Sequence, residues 1–200
     1  MPDLATGVAR YQRDVHPAKA DLFGRLATHH RPHTLFLGCS DARVVPELLT
    51  GCEPGELFVV RTAGNLVPAY HRASGDGVVA SIEYAVAVLG VTDIVVCGHS
   101  ACGAMTALAE AQDLAAVPVL ARWLHHADAA AARAAAGSDA VDLPALIRHN
   151  VRAQLANLAT HPAVAKALAA GTLGLHGWVY DIATGAVDDV GTGAVAAPAA

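Results

Sequence analysis

The chain has 200 residues, of which 54% are hydrophobic and only 16% charged. That globular balance excludes an intrinsically disordered chain and leaves enough length for a buried core. A net charge of −5 with histidine neutral offers no basic surface for nucleic acid or an anionic membrane.

The opening residues, MPDLATGVARYQRD, mix charges early and contain no apolar stretch of a secretory leader, so a cytoplasmic location is expected. No membrane span is expected either. The longest uncharged run, residues 94–109, carries a histidine, a serine and glycines and falls short of the roughly 20 apolar residues a spanning helix needs. Four cysteines at uneven spacing speak for metal or catalysis rather than a disulfide framework.

Residues 6–30 read as helical, broken near Pro17, with Leu22, Phe23 and Leu26 on one apolar face. TLFLG at 34–38 reads as a short buried strand. A short helix is expected over 45–49, stopped by Gly51, and LFVV at 57–60 as a second strand. After a polar loop over 70–77, residues 78–89 are apolar almost all round and read as a buried helix ended by Gly90. IVVC at 94–97 is the third strand, followed by a helix over 102–109. Residues 118–136 read as one alanine-rich helix ending at Gly137, and 144–159 as an amphipathic helix. Pro162 can open the first turn of another. Segments 174–181 and 186–190 read as two strands across the turn 183–185. The tail after Gly191 is small and featureless, a frayed end. Strands alternating with helices predict an α/β fold around a parallel sheet. With no repeat or linker, residues 1–190 are expected to form one domain, followed by the tail 191–200.

Cys39 lies just after the first strand; His99 lies just past the third, with Cys102 three residues on, at a helix start. In open α/β sheets the carboxyl ends of strands line the ligand crevice. GCSDAR and CGHSACG would therefore meet at one sheet edge and offer two thiolates and an imidazole. That set suits Zn2+ and leaves a fourth position for water. A closed structural site would need a fourth ligand. Cys97 alternates with apolar strand residues and reads as core, and Cys52 reads as a loop residue. Asp41 and Arg43 follow Cys39 at two and four residues. The carboxylate can accept a proton from metal-bound water or ligate the metal, and Arg43 can hold it ionised in fork geometry. Two thiolates cancel the charge of zinc, so the bound water is acidified less than the ~7 of all-imidazole sites; neutral-to-alkaline operation is expected. Gly75-x-Gly77-x-x-Ala80 follows a polar loop where a dinucleotide fingerprint needs a strand.

CSDAR followed by GHSACG resembles the signature of β-class carbonic anhydrases, and the likeness extends through EPGELFVVRTAGNLVP, SIEYAV, DIVVCGHSACGAM, ANLATHP and LHGWVYD. It is nearest to bacterial enzymes associated with cyanate degradation. The resemblance implies a mostly parallel sheet with an added antiparallel strand, flanked by helices. It also implies homodimers or higher oligomers with sites at the dimer interface. The activity implied is zinc-dependent reversible hydration of CO2 to bicarbonate and a proton, by attack of zinc-bound hydroxide. On this resemblance Cys39, His99 and Cys102 match the zinc ligands, and Asp41 and Arg43 a catalytic dyad, with Asp41 a conditional fourth ligand at low pH. Phe58 and Tyr84 match apolar-pocket residues, partly supplied by the neighbouring subunit, and with Ala63 can hold the small apolar CO2 near zinc; Gly103 matches a backbone donor near the substrate.

His30 stands where many relatives carry a substrate-binding Gln. It would replace that hydrogen bond, shuttle protons, or simply be a surface histidine beside His29 and Arg31. Thr62 and Ala42 replace a more usual Asn and Ser without removing a ligand. A bicarbonate-regulated branch of the family uses a Trp-Arg-Tyr pocket. The matching positions are Phe36, Arg61 and Tyr180, and phenylalanine has no indole N–H. The open form is therefore expected, with Asp41 paired to Arg43. Competing readings are a CS2 or COS hydrolase on the same fold, a zinc-stabilised scaffold, and a redox protein pairing Cys39 with Cys102.

Overall fold

The structure is a computed structural model that describes residues 3–72, 75–136 and 141–191. The chain divides into two compact units, Met1–Arg31 and Pro32–Ala200. The expected tail after Gly191 lies outside the described residues.

In the first unit, Asp3 caps α1 (Leu4–Arg10) by accepting the Ala5 N–H at 3.0 Å. The chain widens into a π-type turn over Tyr11–Val15, then tightens over Pro17–Lys19 before α2 (Ala20–Leu26). The expected break near Pro17 follows from its missing N–H. Tyr11, His16 and Phe23 cluster, with His16 and Phe23 stacked at 5.2 Å.

The second unit is built on a five-stranded sheet in the order β2-β1-β3-β4-β5. Its strands are β1 (Thr34–Cys39), β2 (Leu57–Thr62), β3 (Asp93–His99), β4 (Gly174–Tyr180) and β5 (Val187–Asp189). The first four are mutually parallel; β5 pairs antiparallel with β4. Helices α3 (Pro46–Thr50), α4 (Gly77–Glu83), α5 (Gly103–Ala109), α6 (Pro118–Leu124), α7 (Asp128–Ala134), α8 (Leu143–Ala159) and α9 (Pro162–Ala169) connect and flank it. Strand alternation divides the core. Leu35, Leu37, Ile94 and Val96 face Val151, Leu155 and Leu158 of α8, together with Ile82 of α4 and Val164 of α9. Phe36, Val95 and Cys97 point to the opposite face, against Val59 and Trp178. A third cluster, with Leu66, Met105, Leu124, Leu146 and Ile147, surrounds Cys39 and Cys102 at the carboxyl end of the strands. Helix α8 lies so close to β3 that a Cβ on Gly98 would stand 2.9 Å from Val151 Cγ2; only glycine permits that approach.

Two helix expectations need correction. Residues 118–136 do not form one helix: α6 and α7 are separated by a tight turn, His125–Ala127. There the His126 carbonyl is taken by Gln154 Nε2 of α8 at 3.1 Å. The tight turn also keeps Leu124, Ala127 and Ala130 all buried. Gly137, the expected stop, lies outside the described residues. Residues 78–89 are helical, but α4 gives way to a π-type turn over Tyr84–Leu89, and the segment is not buried all round. Val79, Ile82 and Ala85 are buried, whereas Tyr84 is 45% and Val88 66% exposed, because only one side of the helix can meet the sheet. Among the described residues no helix is long and apolar enough to cross a membrane.

Candidate metal centre

Three chain segments deliver the donors. Cys39 is the last residue of β1, His99 the last of β3, and Cys102 the N-cap of α5. Parallel pairing brings β1 and β3 side by side, so residues 60 apart in sequence end at the same edge. The two Sγ atoms and the imidazole nitrogen lie within 4.8 Å of one another, all on buried residues. Tetrahedral zinc with Zn–S of about 2.3 Å and Zn–N of about 2.0 Å needs donor separations of roughly 3.5–3.8 Å. Donors gathered within 4.8 Å of one another are close enough to share one ion.

The donor chemistry fits a metal. His99 is fully buried. Its Nδ1 lies 2.9 Å from the Ser100 carbonyl, which can only accept, so Nδ1 carries the proton and Nε2 is left with its lone pair. Nε2 is sealed from solvent with no oxygen or nitrogen hydrogen-bond partner, and turns towards the Cys39 sulfur. A buried acceptor left this way costs about 1–3 kcal/mol, which a metal ion at the cluster would relieve. A hydrogen bond from Cys102 holds the Cys39 thiol well below its ordinary value, helped by the backbone N–H groups of Asp41 and Gly64. Cys102 is correspondingly raised by Cys39 and by burial. Burial pulls His99 down, but the Cys39 sulfur outweighs it and the net shift is upward. Cys97 is a different case: burial pushes its thiol up to about 12, and it belongs to the core.

The polar partners stand beside this cluster. Arg43 grips Asp41 with two parallel bonds, Nε to Oδ1 at 2.9 Å and Nη2 to Oδ2 at 2.6 Å. The Arg43 backbone N–H adds a third at 2.9 Å. These contacts hold the Asp41 carboxyl well below the usual carboxylate range. Asp41 Oδ2 is 3.9 Å from His99 Nε2, beside the metal position. Arg43 Nη2 also reaches the Ala101 carbonyl at 3.1 Å, tying the β1 loop to the β3 loop. Ala101 takes a left-handed φ of 53°, which turns the chain sharply enough for His99 and Cys102 to converge. Arg61 braces the β1 loop from β2, donating to the carbonyls of Cys39 at 2.9 Å and Asp41 at 2.6 Å.

The remaining expected site residues are distributed differently. Ala63 is half-buried in the turn after β2, next to Gly64. Gly103 opens α5 directly after Cys102, exposed, with open space where a side chain would stand. Phe58 and Tyr84 pack on each other at 6.0 Å, but away from the donors of their own chain. Phe58 pairs with Leu35, four residues before Cys39, or about 13 Å along the strand. His30 is exposed and belongs to the first unit. Phe36 is fully buried with its edge towards Trp178.

Several supporting residues escaped the sequence reading. Asn150 and Gln154, on the face of α8 that looked merely amphipathic, are buried. Asn150 Nδ2 donates to the Gly64 carbonyl at 3.0 Å, and Gln154 Oε1 accepts the Val67 N–H at 2.8 Å. Asn157 Nδ2 donates to the Val67 carbonyl at 2.8 Å. Polar residues at i, i+4 and i+7 on one helix face were the available signal, since that spacing lines a single stripe. Trp123 Nε1 donates to the Ala63 carbonyl at 2.9 Å, a contact with no trace in local sequence.

Comparison with known proteins agrees with this geometry. Residues 34–187 match the family model described as carbonic anhydrase. The chain is 61% identical over 191 residues to a carbonic anhydrase of Pseudomonas aeruginosa, covering 94% of this chain and 86% of that one. The structure of the β-carbonic anhydrase CcaA superposes with a TM-score of 0.87 at 39% identity, covering 92% of this chain and 84% of that one. One of two tetrameric β-carbonic anhydrases of Sordaria macrospora superposes with a TM-score of 0.75 at 30% identity, covering 94% and 92%. With its strand order, its cysteine–histidine cluster and these likenesses taken together, the chain belongs to the carbonic anhydrase family, in its β class.

Proposed function

We propose that this carbonic anhydrase hydrates CO2 reversibly to bicarbonate and a proton with Zn2+ held by Cys39, His99 and Cys102. The observation that carries the reading is the buried, unpartnered His99 Nε2 facing two thiols with the Asp41–Arg43 pair 3.9 Å away. Zinc bound there supplies Lewis-acid activation of a water molecule at neutral pH. Asp41 accepts a hydrogen bond from that water and orients it, and Arg43 keeps the carboxylate ionised and aimed. The Gly103 amide, at the start of α5, is available to an oxygen of the substrate. Bicarbonate leaves and the proton passes to buffer or to a nearby histidine. At low pH Asp41 is the residue that would hold the metal as a conditional fourth ligand.

Phe58 and Tyr84 line the CO2 pocket of a neighbouring copy, which makes the working unit at least a dimer. Light scattering in solution tests this, and an active monomer would refute it. His30 either hydrogen-bonds substrate or shuttles protons; unchanged kcat and kcat/KM in His30→Ala would reject both roles. Cytoplasmic location is tested by cell fractionation. The tie to cyanate degradation rests on sequence likeness, and an unaltered cyanate tolerance in a deletion strain would count against it. The central test is stopped-flow CO2 hydration with metal analysis. Fast hydration with one zinc per chain is expected. A zinc-loaded chain no faster than buffer, or an active chain lacking metal, would refute the assignment.

A further inference from the structure

His99 and Tyr180 are the last register partners of β3 and β4. One ladder bond continues past them: the Ser100 N–H donates to the Tyr180 carbonyl at 2.9 Å. In a parallel ladder the bonds are evenly spaced along both strands, so the next would run from the Ile182 N–H to the Ser100 carbonyl. Instead the Ile182 N–H donates to the Ser100 hydroxyl, at 3.0 Å from Oγ. The Ser100 carbonyl is turned to its own neighbour, 2.9 Å from His99 Nδ1. That bond fixes the proton on Nδ1 and leaves Nε2 to the metal. The turn that presents Ile182 is braced within itself. Asp181 Oδ1 accepts the Thr184 N–H and hydroxyl, both at 2.8 Å, and the Asp181 N–H donates to the Ala186 carbonyl at 2.8 Å. Ile182 therefore offers its N–H from a fixed position. Backbone N–H groups withdrawn from water are nearly always paired. Without the hydroxyl, this one would turn to the Ser100 carbonyl, its regular ladder acceptor.

We propose that Ser100 is a positioning residue of the metal centre: its hydroxyl takes the Ile182 N–H in place of its own carbonyl, and so frees that carbonyl to hold the His99 imidazole in the orientation and tautomer that bind the metal. This rests on the metal reading of the site. The role differs from a merely structural one in a measurable respect. A structural serine changes stability, whereas a residue acting this way changes the hydrogen bond at His99 Nδ1, in which its side chain takes no part.

Ser100→Ala and Ser100→Thr separate the two, because threonine keeps a hydroxyl acceptor. In zinc-loaded Ser100→Ala the His99 Nδ1 proton, followed by 15N-edited NMR, should exchange with solvent faster than in the natural chain. Zinc affinity by chelator competition should fall about tenfold, the lower end for partners that orient a ligand. The Ile182 amide should stay protected, because it moves to the carbonyl. Ser100→Thr should keep the natural values. An unmoved Nδ1 proton in Ser100→Ala would overturn the proposal, as would faster exchange confined to the Ile182 amide, or a Ser100→Thr protein that loses as much zinc affinity as Ser100→Ala. If Ser100→Ala fails to fold, the natural protein decides by scalar coupling across hydrogen bonds. Coupling from His99 Nδ1 to the Ser100 carbonyl carbon, with none from the Ile182 nitrogen, supports the proposal; coupling from Ile182 to that carbon overturns it. A natural chain that took up no zinc would overturn the metal reading itself, a result distinct from full zinc uptake with unchanged affinity in Ser100→Ala.

Discussion

Replacing Gly64 with alanine perturbs the metal centre without changing a ligand. Gly64 has a φ of +75°, where an L side chain costs roughly 1–2 kcal/mol. The new Cβ would also stand 3.0 Å from Ala104 Cβ and 3.1 Å from Met105 Cε. Met105 Cε ends a flexible side chain and can turn aside. Ala104 Cβ is fixed to α5, so the turn and the helix must part, an overpacking cost of about 1–3 kcal/mol. The sum, about 2–5 kcal/mol, is a large share of the roughly 5–15 kcal/mol that stabilises a typical domain. Ala104 follows Cys102 by two residues, so the same movement separates Cys102 from Cys39. Urea unfolding of the metal-free chain should therefore show the full stability loss. Chelator competition should show zinc binding weakened at least tenfold, equivalent to about 1.4 kcal/mol. A metal-free Gly64→Ala protein within about 0.5 kcal/mol of the natural chain would refute this reasoning, since a surface change with no structural consequence falls in that range.

Three further outcomes follow from the same geometry. Arg43 holds Asp41 below its ordinary value, so the stabilisation from this carboxylate is complete above about pH 4 and is lost only as pH falls through the depressed folded value. In Arg43→Leu the folded value returns towards about 3.9 and the acid limb of hydration activity should move up in pH; an unmoved limb, or an unmoved Asp41 carboxyl signal in a 13C titration, would contradict the pairing. Gln154→Leu strips partners from the Val67 N–H and Asn150 Oδ1, at about 1–3 kcal/mol for each buried group, and should speed hydrogen exchange at Val67; native protection there would show the ladder to be dispensable. Removing zinc should lower Tm, because ligand at a thousandfold excess over Kd stabilises the folded state by about 4.1 kcal/mol; equal melting of loaded and stripped protein would mean that zinc does not bind the folded cluster.

Much of this was legible in the sequence because it is local. TLFLG and IVVC are runs whose length and branching suit buried parallel strands, and each appears as a strand. Gly51 and Gly90 end their helices in left-handed conformations, as their positions after apolar runs suggested. The donor set was also visible: a cysteine after one strand and His-x-x-Cys after another can meet only if those strands are parallel neighbours, and Cys39, His99 and Cys102 do meet. The helix over 118–136 misled because alanine favours helix wherever no outside partner competes, and the competing partner, Gln154 on α8, is remote in sequence.

What the sequence determined by itself, then, was the strand-and-helix alternation and the identity of the donors, since both depend on side-chain type and spacing along one segment. Tertiary structure alone decided three things: that the Asp41–Arg43 fork, expected from its spacing, stands 3.9 Å from His99, that Phe58 and Tyr84 stand away from their own chain's donors, and that Trp123, Asn150 and Gln154 hold the turn after β2. Each depends on register and on contacts between residues far apart in the chain, and no pattern within a single segment encodes those.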